Sequence, residues 1–479
     1  MNKILALLLL LLTVSFSSFG QGTIVEDTIV LHLDFDDIDN LLAENGIPAG
    51  ILPINYEVDV HRVVYQTPNV DGTPTTASGL VCLPTGDTCA MPMMAYLHGT
   101  KVKKDDTFYY LNGEWNLGVM TATHGYAMCL PDYLGLGLSP GIHPYQHAES
   151  QATASVDLMR ACRTICGDLN LELNDQLFIV GYSQGGHAVM ATHRKIQEEL
   201  SSEFTVTASA PGSGPYDMSG AQLDMVASFE PYAQPGYLPY LIQSYQHIYG
   251  DLYTNLQEIY VSPYDQTLPP LLDGNHSMGE LNAAMPSVPR LIFQQEYQDE
   301  FFSDPQHPAQ IALRDNNVFE WVPQVPVMFN YCRSDEEVTY LNTLIASEYM
   351  IDNGAPDIQV IERDSTISHF QCATPSILFS KLWFDTMAEF CSDGNVGIGS
   401  VNAKKPLAFY PNPNTSGVLK FENEMQIDVA ILNLNGKRIS PLAAVGEYGT
   451  LDVSFLKSGL YLVEMLDGKS RLVKPVVIQ

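Results

Sequence analysis

Residues Gly181-Tyr-Ser183-Gln-Gly185 constrain this chain more than any other stretch. A run of large apolar residues, Leu177–Val180, leads into them, and an alanine-rich helical pattern, Ala188–Leu200, follows at once. The order is strand, tight turn, helix, with a serine at the apex. Glycines two before and two after the serine let the backbone turn sharply and leave room against the hydroxyl. The spacing therefore predicts a serine exposed as a nucleophile. A phosphate-binding turn fits less well, because the stretch lacks the Lys-Ser/Thr ending of a P-loop and the Gly-x-Gly opening of a dinucleotide fold.

The flanking sequence supplies a sheet for that turn. Tyr56–Tyr65 and Thr75–Leu83 alternate apolar and polar around the turn Asp71-Gly-Thr-Pro and predict an antiparallel hairpin. Met91–Leu97 and Gly125–Leu130 read as buried strands, the first ending in His98-Gly99-Thr100. Helix Ala154–Cys166 precedes the serine strand, and Phe204–Ser209 continues the alternation. Strands alternating with helices predict a mostly parallel sheet whose site lies at the carboxyl ends of the strands. From about 216 to 320 the rhythm breaks into a segment rich in Tyr, Pro and Gln, predicted to be a helical cap over the pocket. Its tyrosines suit acyl or aromatic groups, and equally suit gluing the cap to the sheet. The sheet resumes at Val325–Tyr331 and Asp357–Glu362, and helix Pro375–Ala388 closes the domain. After a small-residue linker the pattern turns wholly β, predicting a small sandwich. The expected division is 1–20 signal peptide, 21–391 catalytic domain, 392–405 linker and 406–479 C-terminal β-sandwich.

Met1–Gly20 has the form of a secretory signal: Lys3, an apolar core Ile4–Leu12, and Ser18-Phe-Gly20 before the cleavage point. No later stretch has the length of a transmembrane helix. The formal charge of −32 repels phosphate backbones and anionic membranes, which argues against nucleic-acid binding. Export places the eight cysteines in an oxidising setting. Two pairings suggest themselves, Cys82–Cys89 across a turn and Cys332–Cys372 beside the candidate site. Asp34-Phe-Asp-Asp-Ile-Asp39 lacks the glycine and distal Glu of a calcium loop and fits an acidic helix start, Ile38–Glu44. With no zinc-type Cys/His cluster either, no metal or cofactor is expected.

A serine hydroxyl needs a base, and the base an orienting acid. In hydrolases of the α/β type both follow the serine, acid first. Asp335, just past Val325–Tyr331, and His369, just past Asp357–Glu362, fill those slots; Glu336, Glu337 and Asp364 are rival acids. His187 is expected to pack behind the turn and His98 to be structural. The oxyanion donors are expected to be the amides of Gln184 and Thr100, with Gly99 close behind.

Tyr96-Leu-His-Gly-Thr100, Pro131-Asp-Tyr-Leu-Gly-Leu-Gly137, His143-Pro-Tyr, His147-Ala-Glu-Ser150, Gly181-Tyr-Ser-Gln-Gly-Gly and the His369 loop together resemble the secretory lipase family of α/β-hydrolases. The resemblance implies a capped serine esterase or lipase with Ser183, Asp335 and His369 as its triad. A serine peptidase on the same fold and a non-catalytic surface binding protein are the alternatives. Phe409-Tyr-Pro-Asn-Pro413, Leu434-Asn-Gly-Lys and Ser458-Gly-Leu-Tyr resemble the sorting domain of the type IX secretion system. That resemblance implies export to the cell surface or beyond through that machinery, the ester substrate being the other partner.

Overall fold

The computed structural model describes residues 20–45, 52–86, 89–390 and most of 408–478. All but the last residue of the signal segment, the 392–405 linker and the Asn435-Gly436 turn lie outside the described residues.

Nine strands form one sheet: β1 (Ile24–Leu33), β2 (Val58–Pro68), β3 (Pro74–Pro84), β4 (Met91–Leu97), β5 (Ala127–Pro131), β6 (Leu173–Tyr182), β7 (Val206–Gly212), β8 (Val327–Cys332) and β9 (Ile358–Asp364). Their order is β1-β2-β3-β5-β4-β6-β7-β8-β9. The first four strands in that order pair antiparallel, and from β5 to β9 every pairing is parallel. This is an α/β-hydrolase sheet, and β6 lies well inside it. Its residues Leu177–Tyr182 are buried, as a strand with helices on both faces requires. Apolar clusters fill both faces, one around Tyr126, Phe178 and Phe384, the other around Tyr65, Ile179 and Val189.

The hairpin appears as predicted in β2 and β3. One strand was not anticipated: β1, ahead of the predicted hairpin, pairs along β2 at the sheet edge. The following helix is Phe35–Glu44, and Asp34 and Asp37 form a reciprocal capping box at its start. The last helix begins at His369 and contains Pro375, because Ser368 and Gln371 supply a capping box six residues earlier than the proline suggested.

Between β7 and β8 the chain makes a series of short helices, the longest being Tyr237–Tyr249. They have an apolar core of their own, built from Tyr240, Tyr245, Leu252, Ile259, Tyr260 and Ile292 among others. Among the described residues of the C-terminal segment there are two small antiparallel sheets, of three and four strands, around Phe421, Ile431, Val463 and Val476. Among the described residues no helix is long and apolar enough to cross a membrane.

Cys332 and Cys372 are disulfide-bonded across a 40-residue separation. The Cys82–Cys89 pairing is not formed. Cys82 is a free, buried thiol within β3, opposite Met128 of β5, and Cys89 is disulfide-bonded elsewhere. An interior strand position directs that side chain into the core rather than across the turn.

Candidate active site

Ser183 follows β6 directly and caps the Gln184–Glu199 helix with φ 61° and ψ −124°. A non-glycine residue holds such a backbone only where its surroundings over-determine it. Here they do. The Ser183 N–H donates to the Gly212 carbonyl at 2.9 Å. A Cβ on Gly181 would lie 2.5 Å from the Gly185 carbonyl oxygen, and one on Gly185 would overlap the Leu97 carbonyl. The space those glycines leave is thus filled by the chain's own backbone at the end of β4, not by open room against the hydroxyl. Ser183 itself is 7 % exposed and borders the cavity beneath the inserted helices.

Asp335 follows β8 and His369 follows β9, so strand order brings both to the serine's end of the sheet. His369 Nδ1 donates to Asp335 Oδ2 at 2.7 Å. The other oxygen, Oδ1, accepts from the backbone N–H groups of Glu337 and Val338 at 3.0 and 2.8 Å, which fixes the carboxylate. The rival acids are placed differently. Glu336 accepts the backbone N–H of His369 at 3.0 Å, and Asp364 closes its own turn onto Thr366. Glu337 approaches His369 from the other edge of the ring, 3.9 Å from Nε2. Tyr182, adjacent to the serine, packs its ring 4.9 Å from that of His369 and donates its hydroxyl to the His369 carbonyl at 2.8 Å. The Cys332–Cys372 disulfide joins the end of β8 to the first turn of the helix that His369 opens. Burial pulls the His369 pKa down, but the hydrogen bond and charge of Asp335, with Glu337 and Glu336 behind it, raise it above the ordinary value.

Gln184 is the first residue of its helix, so its N–H has no intrahelical acceptor. Its side chain is clamped from outside: Nε2 donates to His143 Nε2 at 2.8 Å, while His143 Nδ1 donates to the Leu134 carbonyl at 2.7 Å. Burial holds His143 neutral, with a pKa of about 3, so it can accept that bond. A Cβ on Gly99 would stand 3.6 Å from that of Ser183, which puts the 98–100 loop against the nucleophile turn. Thr100 Oγ1 is 3.0 Å from the Tyr145 hydroxyl. His98 touches the carbonyls of Gly99 and Asp132, and His187 bridges Gln151 and the Asn316 carbonyl; burial lowers both to about 4. Both are buried and hydrogen-bonded within the fold, which fits the packing positions expected from sequence. The His143–Gln184 clamp was not anticipated, since its two residues are 41 apart.

The cavity spans about 1040 Å³ including its open mouth. Its wall surface is mostly apolar, with Met218, Leu238, Leu241, Ile242 and Phe293 prominent; Gln146, Gln222 and Gln298 also line it, and Arg290 is the one charged residue among the described lining groups. Several tyrosines that sequence left undecided bind cap to sheet. Tyr240 donates to the Lys101 carbonyl, Tyr245 to that of Gln146 and Tyr232 to that of Glu337. Tyr232, Tyr237 and Tyr245 also face the cavity.

A strained serine turn at the end of β6, an Asp–His pair after β8 and β9, and an apolar pocket under an insertion define a capped α/β-hydrolase, and the chain is a carboxylic ester hydrolase. The description "Secretory lipase" matches residues 114–383, more than half of the chain, which belongs to that family. Residues 408–479 match a secretion-system C-terminal sorting domain. Among solved structures, the rice cell wall degrading esterase LipA from Xanthomonas oryzae is 29% identical, with a TM-score of 0.67, over 77% of this chain and 97% of that one. A protein from Legionella pneumophila (24% identity, TM-score 0.70, 78% and 100% covered) and Candida antarctica lipase A in its closed state (17%, 0.59, 77% and 82%) share the fold. No curated protein gives a significant sequence match.

Proposed function

We propose that the protein is an exported serine esterase that cleaves carboxylic esters with an aliphatic acyl part through an acyl-enzyme. The observation that carries this reading is the Asp335–His369 pair, with its histidine packed on Tyr182, the residue before Ser183, while Ser183 borders a mostly apolar cavity. Ser183 attacks the ester carbonyl and passes its proton to His369. Asp335 holds the imidazole and stabilises its cationic form. The amides of Gln184 and Thr100 bind the oxyanion. The proton then goes to the departing alcohol, and water repeats the sequence to release the acid. The predominantly apolar surface of the cavity wall supports an aliphatic chain over a sugar or peptide in the acyl site.

The match at 408–479 supports delivery by the type IX route, with a signal peptide at 1–20 for the first membrane. On this reading the chain divides into a catalytic domain at 21–391 with its cap at about 216–320, a linker at 392–405 and a sorting domain at 406–479.

A fluorophosphonate probe should label the folded wild type and not Ser183→Ala. A panel of p-nitrophenyl esters of graded acyl length, run beside peptide amides, should show ester turnover only. Absence of labelling would remove the triad, and good amide turnover without ester turnover would make the chain a peptidase.

A further inference from the structure

The chemistry proposed above leaves unused a buried acid that stands beside His369. Glu337 is 8 % exposed. Its Oε2 accepts from the Tyr237 hydroxyl at 2.8 Å and its Oε1 from Gln234 Nε2 at 3.0 Å. Its backbone carbonyl accepts from the Tyr232 hydroxyl at 2.6 Å and Gln222 Nε2 at 3.0 Å. All four donors belong to the segment inserted between β7 and β8. The same Oε2 stands 3.9 Å from Nε2 of His369, across the ring from the edge that Asp335 bonds. Neutral donors solvate a buried carboxylate but do not cancel its charge, and an uncancelled buried charge is costly.

Three carboxylates face His369: Asp335 at Nδ1, Glu336 at its backbone N–H and Glu337 near Nε2; the Tyr182 ring packs against the imidazole beside them. Among the described residues no lysine or arginine forms an ion pair with any of the three. The cation that can balance Glu337 is therefore the imidazolium itself.

We infer that Glu337 is a positioning residue through which the cap supports His369, its carboxylate being held by Tyr237 and Gln234 beside Nε2, where it stabilises the imidazolium. The inference rests on the triad reading. As the Ser183 Oγ bonds the acyl carbon, its O–H bond breaks and the proton moves to Nε2. The positive charge so formed lies between Asp335 and Glu337. When the proton passes on to the alcohol oxygen, the charge disappears and Glu337 again has only its cap donors. The cap is thereby more than a roof over the acyl chain. It supplies the hydroxyl and amide that aim this carboxylate.

The test is the pH dependence of kcat/KM for wild type, Glu337→Gln and Tyr237→Phe, each first titrated with the fluorophosphonate probe. His369 acts as a base, so activity falls as pH drops through its pKa. Removing a charge 3.9 Å away should move that acid limb down by about 0.5–1 pH unit in Glu337→Gln. The plateau should fall about 3- to 10-fold as the base weakens. Tyr237→Phe keeps the carboxylate but loses one of the two donors that aim it, so its acid limb should move down by less than that of Glu337→Gln, while its KM rises. An acid limb in Glu337→Gln within about 0.2 unit of wild type, or a larger downward shift in Tyr237→Phe than in Glu337→Gln, overturns the inference and leaves Glu337 as a tether of the cap. A wild type that the probe does not label overturns the triad reading as well, whereas labelling with an unmoved limb overturns this inference alone.

Discussion

The serine turn and the cap border one cavity but are held by different kinds of contact. Around Ser183 the constraints are backbone against backbone. Gly185 packs on the Leu97 carbonyl, the Ser183 amide is tied to Gly212, and β6 is hydrogen-bonded to β4 and β7 on either side. In the cap, side-chain tips reach single carbonyls: Tyr240 to Lys101 at 3.0 Å, Tyr245 to Gln146 at 3.3 Å and Tyr232 to Glu337 at 2.6 Å. Losing one such hydroxyl costs about 1 kcal/mol net. Pushing a methyl group into a carbonyl at the end of β4 displaces the strand that carries the 98–100 loop. The first region should admit almost no change, and the second should change what the enzyme accepts while leaving its chemistry in place.

The largest expected effect is therefore that of Gly185→Ala. With no space for its Cβ, the turn must shift, and kcat/KM should fall by at least about 10³-fold, or about 4 kcal/mol of transition-state stabilisation. The control is Gly250→Ala in the cap, a position with φ +78° where an added Cβ would meet nothing within 4 Å. There the left-handed backbone should cost about 1 kcal/mol of stability and leave the rate unchanged. Steady-state kinetics with a thermal melt of each variant checks both. Equal rate losses at the two positions would abolish the contrast.

The disulfide sharpens it next. Cys332–Cys372 closes a 40-residue loop that carries both Asp335 and His369. Replacing both cysteines by alanine should lower unfolding stability by about 3–4 kcal/mol, read from the denaturant midpoint. The Asp335–His369 bond is also braced by backbone donors and by Tyr182, so the folded variant should keep most of its activity at low temperature. Activity lost without any loss of stability would mean that the cross-link, not the strand ends, positions the pair.

These two regions were also unequally legible in the sequence. Ser183, Asp335 and His369 stand just past strand ends, positions that local pattern and chain order can read. The acid was ambiguous among neighbours because Asp335, Glu336 and Glu337 share one short turn, and only tertiary packing assigns each a different edge of His369. β1 escaped notice because most of its side chains are exposed and several are polar, as suits an edge strand defined by its partner. The Cys82–Cys89 expectation failed because proximity in sequence says nothing about which way a strand residue points. In the cap, each tyrosine's role depends on a carbonyl roughly 100 residues or more away, which no local period can reveal.

The smallest effect tests the cap's side of the comparison. Leu241 lies on the cap helix Tyr237–Tyr249 and lines the cavity. Leu241→Trp adds volume to an apolar wall, so a long acyl chain should lose part of its site while an acetyl ester loses nothing. One or two methylenes' worth of lost contact corresponds to about a tenfold fall in kcat/KM for the longest esters relative to the shortest, about 1.4 kcal/mol. The fluorophosphonate labelling rate should stay within about twofold of wild type, because the change falls on the cap wall and leaves the backbone contacts of the serine turn as they are. A uniform fall across all chain lengths would show that the cavity wall and the catalytic turn are mechanically one unit. A length-dependent fall would instead separate the region that selects the ester from the region that cleaves it.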